Sequence, residues 1–238
     1  MHVIEVRRFP VKSMLGEVVE ESAVGERGLD GDRLWAVRDA DGKFGSGKNT
    51  RRFRRMDGLF GFRATLGTSP DPDGAPIVEL PDGRTFPAGD PAGHRAIGAV
   101  LGREVTLTPE QNIPHHDEGP VSLITTSSLR ALAALTGEHV QPLRFRANLL
   151  IDVPGSGFAE DAWPGRLLGV GPDLVLRVVR PLTRCVMVDM AQESLPERHD
   201  LLKLLGWHHD LTFGVVAAVE QPGRVATGDG CALLRSGA

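Results

Sequence analysis

Cys185 is the residue of this sequence best suited to chemistry. It stands in the segment Thr183-Arg184-Cys185, directly after an apolar run of strand length at residues 174–179. A cysteine beside an arginine in a loop favours the thiolate form, which acts as a nucleophile or as a ligand for a soft metal. The alternative is a structural cysteine buried in the core. The second cysteine, Cys231, lies in an apolar segment, and we expect it to point into the core.

Cations with a spacing that favours anion binding occur in two places. Arg144, Arg146 and Asn148 are spaced by two residues, so an extended backbone would place them on one face as a clamp for a phosphate or a polar heterocycle. The segment GKFGSGKN at residues 42–49 differs from a nucleotide-binding phosphate loop, because Asn49 stands where a hydroxyl must bind magnesium. Lys48 and the arginines that follow could still hold another phosphate. The alternative in both places is a solvated basic surface.

The triplet His-His-Asp occurs twice, at residues 115–117 and 208–210. Imidazole and carboxylate groups are ligands of hydrolytic metal sites. Adjacent residues of a strand point to opposite faces, however, so each triplet would offer few ligands to one metal. The pattern favours histidines at loop edges over a metal site, and a metallohydrolase remains the less favoured alternative.

Composition excludes several classes of protein. The chain has 238 residues and a formal net charge of −4, which argues against a dedicated binder of nucleic acid or membrane surfaces. Two cysteines cannot form a disulfide framework, a four-cysteine zinc site or an all-cysteine iron–sulfur cluster. The N-terminus lacks the apolar core of a signal peptide, and no apolar run is long enough to span a membrane. We therefore expect a cytoplasmic protein with reduced thiols.

The elements that must position these residues are mostly short strands. The 29 glycines and 17 prolines favour many turns and disfavour a helical bundle. A hairpin is predicted at the Asp82-Gly83 turn, and a helix at residues 127–135 is predicted to end at Gly137. Ser194-Leu195-Pro196-Glu197 has the pattern of a capping box, which predicts a helix from there to Gly206. Strands are predicted at residues 3–6, 33–37, 77–80, 121–125, 149–153, 174–179 and 213–219.

Several of these segments together resemble the MOSC family, which is named after the C-terminal domain of molybdenum cofactor sulfurase. The resemblance covers nearly the whole chain and extends to the N-terminal β domain of the amidoxime-reducing members. It rests on the order and spacing of the motifs FPVKSMLG at residues 9–16, RGLDGDRLW at 27–35, RFRAN at 144–148, FAEDAWPG at 158–165, TRC at 183–185, FG at 213–214 and GD at 228–229.

The resemblance implies a mainly β, α+β fold. An N-terminal β domain, residues 1–93, would pack on a MOSC β-barrel with a few peripheral helices, residues 94–238. It also implies molybdopterin, the molybdenum cofactor, in the cleft between them, with Cys185 as the catalytic residue and metal ligand. The other cofactor-binding positions are implied by the resemblance or are added to it for their charge. They are Lys12, Ser13, Arg33, Lys48, Thr125, Arg146, Asn148 and Arg184. Two departures are Ala147, where a proline is usual, and the loop around Lys48.

What the resemblance implies about activity is the reduction of N-hydroxylated small molecules by a molybdenum-dependent oxidoreductase. Since two cysteines cannot hold an iron–sulfur cluster, electrons are expected from a separate ferredoxin-, flavin- or cytochrome-type donor protein. No nucleic acid or membrane partner is expected, and neither is pyridoxal phosphate. The alternative is a protein that binds the cofactor without redox chemistry, or one that transfers sulfur with Cys185 as the carrier.

Overall fold

A computed structural model describes residues 1–66 and 74–234 of the chain. Part of the Pro-, Gly- and Asp-rich stretch, residues 67–73, and residues 235–238 lie outside the described residues. Strands dominate, as predicted, and the three α-helices are α1 (Pro91–Leu101), α2 (Thr126–Thr136) and α3 (Leu201–His208). The strands are β1 (His2–Arg8), β2 (Glu17–Val19), β3 (Glu21–Gly25), β4 (Gly28–Leu29), β5 (Trp35–Asp39), β6 (Phe44–Ser46), β7 (Phe53–Arg55), β8 (Arg63–Thr65), β9 (Ile77–Glu79), β10 (Thr85–Pro87), β11 (Val105–Pro109), β12 (Val121–Thr125), β13 (Leu149–Asp152), β14 (Leu167–Val170), β15 (Leu174–Thr183), β16 (Thr212–Gln221), β17 (Gly223–Ala226) and β18 (Cys231–Leu233).

The largest sheet has eight strands in the order β18-β14-β15-β16-β12-β13-β1-β2. Neighbours in it are antiparallel except for β12 and β13. Backbone hydrogen bonds also join residues 1–3 to residues 228–231, so the first strand lies against the segment that leads into the last one. The fold class predicted from the sequence, mainly β with some helix, is confirmed.

Alternation of apolar and polar residues explains how this sheet encloses a core. In β15, Leu174, Leu176 and Val178 are buried, whereas Arg177 between them is exposed and pairs with Glu220. A period of two puts the apolar side chains on one face of a strand and the charged ones on the other. The apolar faces of the sheet converge on one core that also contains the side chain of Cys231, as predicted.

The N-terminal half adds a four-stranded sheet, β11-β5-β6-β7, and a three-stranded sheet, β10-β9-β8. The predicted hairpin at Asp82-Gly83 is confirmed as β9 and β10. Helix α1 packs against this half. Its N-cap is Asp90, whose carboxylate accepts from the backbone N–H of Ala92 at 2.7 Å. This helix spans the predicted domain boundary, and β11 after it pairs with β5. The division at residues 93 and 94 stays a prediction.

Both halves also share strands. β1 pairs with β13 in the large sheet, and β3 pairs with β17 in a separate small sheet, β17-β3-β4. The chain therefore leaves β1 at Phe9 from within the C-terminal sheet and enters the N-terminal half. This crossing places residues 9–13 between the two halves.

Helix predictions succeeded for α2 and failed for the start of α3. Helix α2 ends at Gly137, whose φ of 75° is the left-handed conformation that glycine adopts without strain. The capping box at residues 194–197 does not open a helix, and α3 begins only at Leu201. The carboxylate of Asp189 accepts from the backbone N–H groups of Leu201 and Leu202 at 3.0 and 3.2 Å. A residue remote in sequence thus supplies the cap.

Within the part of the chain that the structure describes, no helix has the length and hydropathy needed to cross a membrane.

Candidate functional site

A cleft with a cavity volume of about 140 Å³ lies between the N-terminal half and the large sheet. Cofactor and small-molecule sites commonly lie where two parts of a fold meet. All predicted site residues except Thr125 and Asn148 line the cleft: Lys12, Ser13, Arg33, Lys48, Arg146, Arg184 and Cys185. Residues separated by more than a hundred positions in the chain are thus brought to one cavity rich in positive charge.

Three of the lining residues have strained backbones. Ser13, Arg33 and Arg146 have φ values of 64°, 52° and 50°, in the left-handed region that non-glycine residues rarely occupy. Backbone hydrogen bonds hold two of these turns, from Arg33 N–H to the Phe9 carbonyl at 2.8 Å and from Arg146 N–H to the Leu143 carbonyl at 3.0 Å. Such conformations cost on the order of 1 kcal/mol each and concentrate at functional sites. Here they turn three polar side chains into the same cavity.

The predicted arginine clamp is wrong in its geometry. Residues Pro142–Phe145 form a 3₁₀ helix rather than an extended segment, and Arg146 then reverses the chain direction. Arg144 borders the cleft, but its guanidinium donates to the Pro196 carbonyl at 2.7 Å and so supports the segment after Cys185. Arg146 and Arg144 therefore do not act from one face.

Arg146 and Arg184 are two cations of the cleft whose guanidinium nitrogens are buried. Over residues 1–66 and 74–234, Nη1 and Nη2 of Arg146 and Nη2 of Arg184 have no hydrogen-bond partner. Burial, together with the nearby charge of Arg33, lowers the pKa of each guanidinium to about 9. A buried donor left without an acceptor is costly, so both arginines indicate an anionic group that belongs in the cleft.

Lys12 forms the ion pair of the site with Asp117. Its Nζ donates to Oδ1 of Asp117 at 2.6 Å and to the carbonyl of His115 at 2.8 Å. Burial lowers the pKa of Lys12 to about 8, against the attraction of Asp117. Burial alone would raise the pKa of Asp117, but the Lys12 ammonium outweighs it and holds this pKa below its ordinary value. Ser13, the next residue, donates from Oγ to the Gly45 carbonyl at 3.0 Å.

Cys185 lies where β15 ends, directly before the 3₁₀ helix Val186–Val188, and its side chain is half-buried at the cleft. Arg184 anchors this turn, because its guanidinium donates to the carbonyls of Phe213 at 2.8 Å and Phe145 at 2.7 Å. Burial raises the pKa of the other thiol, Cys231, to about 11. Only Cys185 combines a thiol with access to the cavity.

The loop that carries Lys48 packs tightly against the segment after Cys185. A Cβ at Gly47 would lie 2.8 Å from Cγ of Met187, so a larger residue there would force the Met187 side chain to shift. The Lys48 ammonium lies 5.2 Å from the centre of the Phe53 ring. The glycine-rich stretch is thus part of the cavity wall, in the N-terminal half.

Thr125 and Asn148 lie outside the lining of the cleft. Thr125 caps α2, and its hydroxyl donates to Oε2 of the buried Glu160 at 2.6 Å. Asn148 joins two strands, since its Oδ1 accepts from Ser122 N–H at 3.0 Å and its Nδ2 donates to the Arg7 carbonyl at 3.2 Å. Their contribution to cofactor binding stays a prediction.

Sequence reasoning did not assign the loop at residues 116–119 to this site, although it lines the cleft. The sequence signal for this loop is the first His-His-Asp triplet, a pattern that favours histidines at a loop edge over a metal site. The second triplet lies elsewhere, where His209 contacts the carboxylate of Asp161 at 2.6 Å. In the described ranges no three His, Cys, Asp or Glu side chains form a group that could hold a metal ion. The two triplets do not combine into one site.

Comparisons with known proteins agree with this arrangement. The family model of the MOSC domain matches residues 110–232, and that of the MOSC N-terminal beta barrel domain matches residues 1–58. Mitochondrial amidoxime-reducing component 1 of Homo sapiens is 26% identical over 142 residues, 53% of this chain and 40% of that protein's length. The chain thus matches less than half of this curated relative.

One solved structure shows the same fold over nearly the whole chain. The YuaD protein from Bacillus subtilis superposes with a TM-score of 0.51 at 14% identity, over 96% of this chain and 92% of that one. YiiM from Geobacillus stearothermophilus gives a TM-score of 0.38 at 17% identity, over 49% of this chain and 54% of that one. Because a MOSC domain model covers more than half of the sequence and the N-terminal model precedes it, this chain belongs to the MOSC domain family.

Proposed function

We propose that the cleft binds the molybdenum cofactor, a pterin dithiolene that carries a phosphate. The observation that carries this proposal is the set of buried guanidinium nitrogens of Arg146 and Arg184 that lack acceptors within the described residues. A phosphate or another anionic group of the cofactor would supply the acceptors. Cys185 adds a thiol at the cleft, and it stands at the position that the MOSC resemblance assigns to the metal ligand. The residues present therefore fit the group.

Each lining residue has a distinct part in this proposal. Cys185 would be the protein ligand to the metal. Arg33 and Arg146 would bind the phosphate by charge-assisted hydrogen bonds, which are about twice as strong as neutral ones. Lys12 and Ser13 would complete the anion site from the N-terminal half, and Arg184 would hold the Cys185 turn in place. Lys48 would close the cavity wall.

The proposed reaction is the reduction of an N-hydroxylated small molecule. An amidoxime takes up two electrons and two protons, its N–O bond breaks, and an amidine and water leave. The bound cofactor supplies the two-electron chemistry, while the protein orients the reactants. Lys12 holds a proton at Nζ with a pKa of about 8, next to the Asp117 carboxylate, so this pair can exchange protons near neutral pH.

The choice of substrate draws support from one relative. The human protein that matches 53% of the chain has amidoxime reduction in its name. The electrons would come from a separate donor protein, because the two cysteines of this sequence cannot ligate an all-cysteine iron–sulfur cluster. A ferredoxin-, flavin- or cytochrome-type donor meets this requirement.

The test uses the full chain expressed in a host that makes the molybdenum cofactor. We expect about one molybdenum and one pterin per chain, and reduction of an aryl amidoxime by the protein with reduced methyl viologen as the donor. Cofactor content without turnover would contradict the reductase proposal and favour an accessory role, in which Cys185 carries sulfur. A chain free of both molybdenum and pterin would overturn the proposal as a whole.

A further inference from the structure

The cations of the cleft lie on the faces of phenylalanine rings. Cζ of Arg146 is 4.2 Å and Cζ of Arg33 is 4.9 Å from the centre of the Phe9 ring. A cation within about 6 Å of a ring centre is attracted by the negative face of the ring. The Phe9 ring therefore contacts two guanidinium groups, one from each half of the chain.

The Phe9 ring is held firmly in place. The residue is fully buried, and its backbone N–H donates to Oδ1 of the buried Asp32 at 2.7 Å. Its carbonyl accepts from Arg33 N–H at 2.8 Å, and Nη2 of Arg33 donates to the Arg146 carbonyl at 3.1 Å. The ring and the two arginines thus form one packed unit with little freedom to move.

A ring suits this position better than a carboxylate would. Two guanidinium groups held close together repel each other and need a stabilising neighbour. A carboxylate beside Arg146 would occupy its N–H groups and compete with any anionic ligand, whereas a ring face attracts the cation and leaves those N–H groups free. Asp32 forms an ion pair with Arg33, but Nη1 and Nη2 of Arg146 have no such partner among the described residues.

We propose that Phe9 is a positioning residue whose ring holds the guanidinium groups of Arg33 and Arg146 in place, with the Nη1 and Nη2 groups of Arg146 available to an anionic ligand. The ligand class is a phosphate group. This inference rests on the proposed function, because it requires that the cleft binds an anion. The effect of the ring can be measured with inorganic phosphate alone, without the cofactor.

The experiment compares two matched substitutions in the full chain, purified free of cofactor. Phe9→Leu keeps an apolar side chain and removes the ring face. Phe62→Leu makes the same change at another fully buried phenylalanine, in the core of the N-terminal half, where the described residues place no cation on the ring. By isothermal titration with inorganic phosphate, we expect Phe9→Leu to weaken binding about tenfold and Phe62→Leu to change it less than about twofold. Equal losses in both variants, or wild-type affinity in Phe9→Leu, would overturn the proposal.

Fluorinated phenylalanines at position 9 keep the proposal testable if Phe9→Leu folds poorly. Each added fluorine weakens the negative face of the ring while its volume barely changes, so the phosphate affinity should fall stepwise from one to three fluorines. A flat series would overturn the proposal, as would a wild-type chain that binds no phosphate. Phosphate binding by a chain that acquires no pterin in a cofactor-producing host would instead overturn the proposed function and leave the role of Phe9 intact.

Discussion

Nζ of Lys12 and Oδ1 of Asp117 lie 2.6 Å apart although 105 positions separate the two residues in the chain. The pair joins the turn after β1 to the loop before β12 across the cleft. The exposed fraction of the Lys12 side chain is only 4%, so the ammonium depends on this one carboxylate for charge compensation. Loss of Asp117 leaves the buried Lys12 ammonium without its carboxylate, and an uncompensated buried charge is strongly destabilising.

Lys12 gives the cleft a pH dependence. Its pKa in the folded chain, about 8, lies below the ordinary value of 10.5. Binding of phosphate that uses the ammonium should therefore be full below pH 8 and weaken as the pH rises through 8. Asp117→Asn removes the attraction that favours the ammonium, so the decline should begin at a lower pH. Phosphate titrations at several pH values test this, with Asp82→Asn as a control at an exposed ion pair with Arg84. Identical pH profiles for wild type and Asp117→Asn would contradict it.

The lowered pKa of Lys12 also makes the free energy of unfolding depend on pH, and this dependence has the opposite sign to that of phosphate binding. Between pH 8 and 10.5 the unfolded chain keeps Lys12 protonated while the folded chain has lost the proton. Because the unfolded state then binds more protons, the contribution of Lys12 to the free energy of unfolding rises with pH over this window. Lys12→Met should remove this rise. Urea unfolding of the cofactor-free chain at several alkaline pH values measures it, and an equal slope in the variant would refute the assignment.

Cys185→Ala should reduce amidoxime reduction at least about a hundredfold, since the proposed metal ligand is lost. The fold should persist, because the side chain is only half-buried at the end of β15. The matched control is Cys231→Ser, which changes a buried thiol of the core and should cost stability but little activity. Turnover, molybdenum content and melting temperature are the measurements. Full activity of Cys185→Ala with molybdenum bound would remove Cys185 from the site.

Arg146→Met keeps most of the buried apolar volume and removes the charge, so the pterin content of the purified chain should fall. Charge-assisted hydrogen bonds contribute about 1.5–3 kcal/mol each, which corresponds to roughly tenfold or more in affinity. Arg146→Lys should recover only part of the loss, because an ammonium lacks the planar fork of the guanidinium. Arg177→Met, at an exposed ion pair with Glu220, is the control. Unchanged pterin content in Arg146→Met would show that this cation does not bind the cofactor.

Because of Glu160, we expect the free energy of unfolding to fall as the pH rises above the ordinary pKa of a carboxyl group. It is fully buried, burial raises its pKa, and its Oε2 accepts from the hydroxyls of Thr125 and Ser128. The folded chain thus binds more protons than the unfolded chain between pH 4.5 and the raised pKa, and stability is lost through that window. Glu160→Gln keeps an oxygen for both hydroxyls and should abolish this slope. Unfolding free energies at several acidic to neutral pH values test it, with the exposed Glu79→Gln as the control. A slope that survives in Glu160→Gln would assign it to other groups.

Sequence alone predicted the elements whose signals are local. Apolar runs bounded by turn residues gave the strands at residues 121–125 and 149–152, and helix α2 ends at Gly137 because the C-terminal signal lies within the helix's own segment. The start of α3 could not be predicted in this way. Its first N–H groups are capped by Asp189, twelve residues before Leu201, and this contact exists only after the chain has folded back.

The residue types of the site were likewise evident in the sequence: a cysteine beside an arginine, and cations spread over both halves. Which of them face one cavity was decided only by tertiary structure. The positive φ at Arg146 turns its side chain into the cleft, whereas Arg144, in the 3₁₀ helix before it, donates to the Pro196 carbonyl. Asp117 enters the site because Lys12, once buried, requires a carboxylate within reach. Sequence periodicity describes one strand or helix at a time, whereas burial, charge compensation and the meeting of β1 with β13 are properties of the assembled chain.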